Sequence, residues 1–101
     1  MIFGQIDLGA AAETEAAKFP YRCDAEVHFC NRNGATATVR LRVVPADGAV
    51  GNEQYLWYGF TIAAGRTSTW ATARYEKSER VMVYSDLANV SVSVFGKQVS
   101  Q

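Results

Sequence analysis

The residues best equipped for chemistry in this chain are His28 and Cys30, the single histidine and one of two cysteines, two positions apart. On a strand that spacing puts both side chains on one face, and together they would make half of a zinc ligand set. A zinc site needs three or four ligands, and no further cysteine or carboxylate stands at ligand spacing, so the pair reads as ordinary surface or interface. Nucleophilic catalysis fares no better. Serines are plentiful, but none occupies a strand-to-helix elbow, and a flat strand face gives His28 no cleft in which to act as a base. The carboxylates Asp24, Glu26, Glu76 and Glu79 stand beside arginines or in a charged window, where ion pairing accounts for them. The expectation is a protein with no catalytic residues, no metal and no cofactor, and hence not an enzyme.

Binding is better represented than catalysis. Tyr55, Trp57, Tyr58, Phe60, Trp70, Tyr75 and Tyr84 crowd the second half of the chain. Strict alternation over Gln54 to Ile62 assigns Leu56, Tyr58, Phe60 and Ile62 to one face and Tyr55, Trp57 and Thr61 to the other. Tyr58 and Phe60 are then expected in the core, with Tyr55 and Trp57 covering an edge and Gly59 marking a bulge or close packing. Tyr55, Trp57 and Trp70 fit a protein interface, where tryptophan and tyrosine are the commonest anchors. A sugar-stacking platform on the same three residues ranks second, because sugar sites also want Asp, Asn or Gln clustered beside the rings.

The elements that must position these residues are strands. From Thr36 to Val44 the apolar residues Ala37, Val39, Leu41 and Val43 alternate with Thr36, Thr38, Arg40 and Arg42, the period of a strand with one buried face. Ala25, Val27 and Phe29 alternate in the same way with Asp24, Glu26, His28 and Cys30. Between them Asn31, Asn33 and Gly34 mark a turn. A hairpin with residues 31–35 as its loop would set Cys30 opposite Thr36, Val27 opposite Val39, Glu26 opposite Arg40 and Asp24 opposite Arg42. Further strands follow over residues 54–62 and 67–73. After the charged window Arg74 to Arg80, which reads as a solvated loop, Val81 and Val83, then Val90, Val92 and Val94, alternate around a turn at Ser85 to Asn89. About six to eight short strands with no sustained helical period predict an all-β, two-layer antiparallel sandwich, either immunoglobulin-like or jelly-roll-like.

The chain has 101 residues, enough for one domain with its own core. Ten basic and ten acidic residues are scattered rather than blocked, which argues against nucleic acid as a partner. No apolar run approaches the roughly 18–20 residues of a membrane helix, so no membrane partner is expected either. Cys23 and Cys30 would flank one strand some 23 Å apart, well beyond the reach of a disulfide, which predicts two free thiols. Residues 1–18 combine a possible edge strand, IFGQIDL, with GAAAETEAA, which holds almost no large side chain to bury. They read as an arm preceding a domain at 19–101. Ile2, Phe3, Ile6 and Leu8 are too apolar for a solvated tail, so the arm is expected to pack on another chain.

Five segments, CNRNGATAT at Cys30 to Thr38, VPADGAV at Val44 to Val50, NEQYLWY at Asn52 to Tyr58, AAGRT at Ala63 to Thr67 and SVSVFG at Ser91 to Gly96, carry a resemblance. Together they are similar to small structural proteins of tailed bacteriophages, over about two-thirds of the chain from Val27 onward. Residues 1–25 depart from that pattern, and Arg74 to Arg80 is more charged than it. The resemblance implies a virion component of β-sandwich type, made in the bacterial host cytoplasm. With the aromatic-rich surface, the near-zero net charge and the absence of catalytic residues, it ranks first a capsid decoration protein, homo-oligomeric and bound to the major capsid protein, and as the alternative a partner of tail, baseplate or fibre proteins.

Overall fold

The computed structural model describes residues 1–99. It holds eight strands: β1 (Ile2–Leu8), β2 (Thr14–Lys18), β3 (Cys23–Asn31), β4 (Ala37–Val44), β5 (Tyr55–Ile62), β6 (Thr67–Tyr75), β7 (Arg80–Ser85) and β8 (Val90–Gln98), with one 3-10 turn at Asn52–Gln54 before β5. They form two four-stranded antiparallel sheets, in the orders β1-β8-β3-β6 and β2-β7-β4-β5, packed as a sandwich. This is the strand order of an eight-stranded jelly roll rather than of an immunoglobulin domain. Its logic is a long folded hairpin in which β4 pairs β5, β3 pairs β6, β2 pairs β7 and β1 pairs β8. Every connection except β4–β5 therefore passes from one sheet to the other.

The inward faces follow the alternation. Val27, Phe29, Val39, Leu41, Val81, Val83, Val90, Val92 and Val94 all lie buried between the sheets. Phe19 plugs one end, with its ring stacked on Tyr75 at 4.5 Å and edge-on to Phe3 at 5.3 Å.

The expected hairpin between residues 23 and 44 does not form. β3 lies between β8 and β6, with Val27 beside Val94 and Trp70, while β4 lies between β7 and β5 in the opposite sheet. The reason sits in the loop. Asn31 is fully buried, and its amide donates to the carbonyls of Ala35 at 2.9 Å and Ile62 at 3.0 Å, while its Oδ1 accepts the Asn33 N–H at 3.0 Å. These bonds carry the chain over the rim of the sandwich instead of back along the same sheet. The charge pairs move accordingly: Asp24 meets Arg74 at 2.5 Å, Arg42 meets Glu13, and Glu26 stands 3.6 Å from His28. Arg74 holds the Asp24 carboxyl below its ordinary range, chiefly through their hydrogen bond. The turn at residues 85–89 likewise joins strands of different sheets.

The N-terminal arm is also corrected. β1 pairs β8 and β2 pairs β7, each at the edge of its sheet, and Leu8, Ala16 and Ala17 are buried in the core. The small side chains that argued against burial are what this side requires, because the two sheets converge here. A Cβ on Gly4 would stand 1.9 Å from the Ala16 carbonyl oxygen. The charged window is only partly a loop, since Arg74 and Tyr75 end β6, Arg80 begins β7, and Tyr75 is buried. Both cysteines are free, Cys23 buried and Cys30 half-buried.

Candidate functional site

β5 decides where the aromatics go. Its pairing with β4 slips twice: Phe60 faces Val39 while Tyr58 faces Arg40, which leaves Gly59 extra, and Trp57 faces Leu41 while Tyr55 faces Arg42, which leaves Leu56 extra. Gly59 adopts a φ of +75°, the left-handed backbone that lets a glycine bulge form at little cost. Each bulge reverses the parity of the residues beyond it, so Tyr58 and Trp57 exchange their expected faces, whereas Ile62 stays inward and Tyr55 outward as expected. Tyr58 stands 67 % exposed and Phe60 38 %, whereas Trp57 is half-buried against the core.

Two aromatic groups result. In the seam between the edge strands β5 and β6, Trp57 stacks on Phe60 at 4.2 Å, meets Trp70 edge-on at 5.7 Å and leans on Phe29 at 5.5 Å. Trp57 and Trp70 are thus brought together, but they face each other across the seam rather than forming a flat platform. Tyr55 is separated from them. It lies on the outer face of the second sheet with Tyr58, the two rings 5.0 Å apart and nearly perpendicular at 78°.

The outward residues of β4 run beneath these tyrosines. The Arg40 guanidinium is sandwiched, 4.4 Å from the Tyr58 centroid and 4.5 Å from that of Tyr84 on β7. The Arg42 guanidinium lies 4.6 Å from the Tyr55 centroid. Stacking holds both planar groups in place while leaving their N–H edges available. Arg42 uses its edge internally: Nε donates to Glu13 Oε2 at 2.6 Å, a second nitrogen donates to Glu13 Oε1, and a third donates to the Gly51 carbonyl at 3.1 Å. The hydrogen bond to Glu13 raises the pKa of Arg42 further, so the pair is a fixed structural element. Arg40 makes no hydrogen bond or ion pair among the described residues. It lines, with Asn52, Tyr55 and Tyr58, an open hollow of about 400 Å³.

The remaining sequence-derived site residues lie at the opposite edge of the molecule. Leu8 is buried, Phe3 and Ile6 pack against the core, and only Ile2, 61 % exposed, remains on the surface. The sequence alone does not single out Arg40, Asn52 and Tyr58 as site residues. Alternation marks Arg40 as outward and Gly59 as a bulge, but uniting them with Tyr55 requires the β4–β5 register. His28 lies half-exposed on the outer face of the first sheet, stacked on Phe95 at 4.4 Å with Nδ1 3.0 Å from the Thr69 hydroxyl. Among the described residues no group of three or more His, Cys, Asp or Glu could hold a metal, and no helix is long and apolar enough to cross a membrane.

No protein-family model, curated protein or solved structure matches the chain. The architecture is thus read from strand order and the site from its own geometry.

Proposed function

We propose that the chain is a non-enzymatic structural protein of a tailed-bacteriophage virion, a capsid decoration or cement protein held on the shell by protein–protein contacts. The observation that carries this reading is the eight-stranded jelly roll, an architecture used by viral capsid domains, built here from the segments that resemble phage structural proteins. The support from fold is one of analogy, since the same architecture also serves lectins and cupins.

A standard interface takes about 800 Å² from each partner. The whole chain exposes 5336 Å², so one edge with its flanking loops is sufficient and no extended arm is needed. The edge strand β5 is the surface we assign to the major capsid protein, because Leu56, 46 % exposed at a bulge, places an apolar side chain outside the core there, beside the exposed rim of Phe60 in the seam. Neighbouring copies of the chain on the shell would make it a homo-oligomer in place.

Particles assembled without the protein are expected to lose heat and osmotic stability. Normal particles that fail to adsorb to cells would instead assign it to the tail, baseplate or fibre. Leu56→Asp is expected to keep the β circular dichroism unchanged while abolishing rebinding to depleted particles, and full rebinding would reject the β5 assignment.

A further inference from the structure

We infer that the hollow between Arg40, Asn52, Tyr55 and Tyr58 is a binding site for a carboxylate-bearing sugar, such as the terminal uronic or sialic acid of a glycan. Four features of the hollow carry this. The Arg40 guanidinium is held by two tyrosine rings, and none of its five N–H donors is engaged by the described residues. A planar fork fixed by stacking and left with free donors matches a carboxylate in two-point geometry, which a neutral hydroxyl cannot reproduce. Tyr55 and Tyr58 meet nearly at a right angle, giving one ring as floor and one as wall for the apolar face of a pyranose. The Asn52 side chain, exposed and without a hydrogen bond among the described residues, offers the donor and acceptor that a pair of ring hydroxyls needs.

The surroundings favour an anion at Arg40 over one at Arg42. The Glu13 carboxylate is bound to Arg42, and the Glu53 carboxylate lies against the Gly51 backbone. The volume, about 400 Å³, falls within the range of small-ligand sites. An acidic peptide fits less well. The β5 edge beside the hollow is bulged at Leu56 and Gly59, which interrupts the regular row of backbone groups an added strand would need. A peptide would have to bind by side chains alone, whereas a terminal sugar needs only the hollow.

The test uses the whole chain in solution and is independent of any virion. Titration calorimetry with oligosaccharides ending in glucuronic or N-acetylneuraminic acid is expected to show saturable binding. The methyl esters of the same sugars are expected to bind at least about tenfold more weakly, as loss of a hydrogen bond to a charged group implies. Arg40→Gln should reproduce that loss, and Tyr55→Ala, which removes a wall of the hollow without touching Arg40, should weaken acid and ester alike, with thermal melts confirming that both variants fold. Because the ester comparison is made on the unaltered protein, it stands even if a variant unfolds. Equal affinity for acid and ester would overturn the carboxylate assignment. Silence toward every sugar, or binding only of a glutamate-rich peptide, would overturn the site as a sugar site.

Discussion

The two lateral sides of the sandwich are closed in opposite ways. Where β1 and β2 run, the sheets converge until Gly4 lies against the Ala16 backbone, and the contact is made by Gly4, Ala16 and Ala17. Where β5 and β6 run, they are held apart by Trp57, Phe60 and Trp70, and the excess aromatic surface spills outward as Tyr55 and Tyr58. Small residues are therefore no sign of a segment outside the core, nor is aromatic density a sign of one inside it. Both sides bury an edge, but the aromatic side also sets a pair of tyrosine rings and an unpaired arginine, among the described residues, around an open hollow.

The largest effect is expected from breaking the converging side. Gly4→Ala places a methyl group where a carbonyl oxygen already sits, and backbone rather than a flexible side chain must move. A loss of about 3 kcal/mol, the upper end for overpacking, should appear as a lower urea midpoint with unchanged slope.

The next effect sharpens the comparison from the aromatic side by pH. Tyr75, at the end of β6, is 3 % exposed, and burial pushes its phenol up from 10.0 to about 12, although the nearby Trp70 N–H opposes the shift. Its hydroxyl has no completed hydrogen bond among the described residues. A phenol whose pKa is raised on folding contributes fully below its unfolded value and loses that contribution as pH rises through its folded value. Stability should thus fall by about 2–3 kcal/mol between pH 10 and pH 12 on this account. The buried Cys23 thiol, pushed from 9.0 to about 11 by burial, adds a fall that begins lower. Tyr75→Phe should leave stability at neutral pH intact and flatten the upper part of the alkaline decline, measured by denaturant midpoints across pH.

The smallest effect is expected at the seam itself. Trp57→Ala removes contacts with Phe29, Phe60 and Trp70, but the ring is only half-buried, so the loss should be about 2 kcal/mol, below the range for a fully buried tryptophan. A urea midpoint lowered to the same extent as by Gly4→Ala would mean that the aromatic side belongs to the core no less than the converging side does.

Alternation in the sequence determined that this is an antiparallel β protein and which residues of β3, β4, β7 and β8 point inward, because a strand with one wet face has a period of two wherever it lies. It also marked Gly59 as a place where β5 departs from regularity. The register, the partner of each strand and the exchange of faces by Trp57 and Tyr58 on β5 were decided by tertiary structure. A turn such as residues 31–35 can return a chain beside itself or carry it over the rim, and the pattern of the flanking strands is the same in both cases. The buried Asn31, whose amide donates to the Ala35 carbonyl within the loop and to the Ile62 carbonyl on β5 of the other sheet, fits the crossing and not a hairpin. The candidate site depends on that crossing. Arg40 and Tyr58 are separated by the one loop that stays within a sheet, and two bulges on β5 bring the tyrosine onto the arginine rather than into the core.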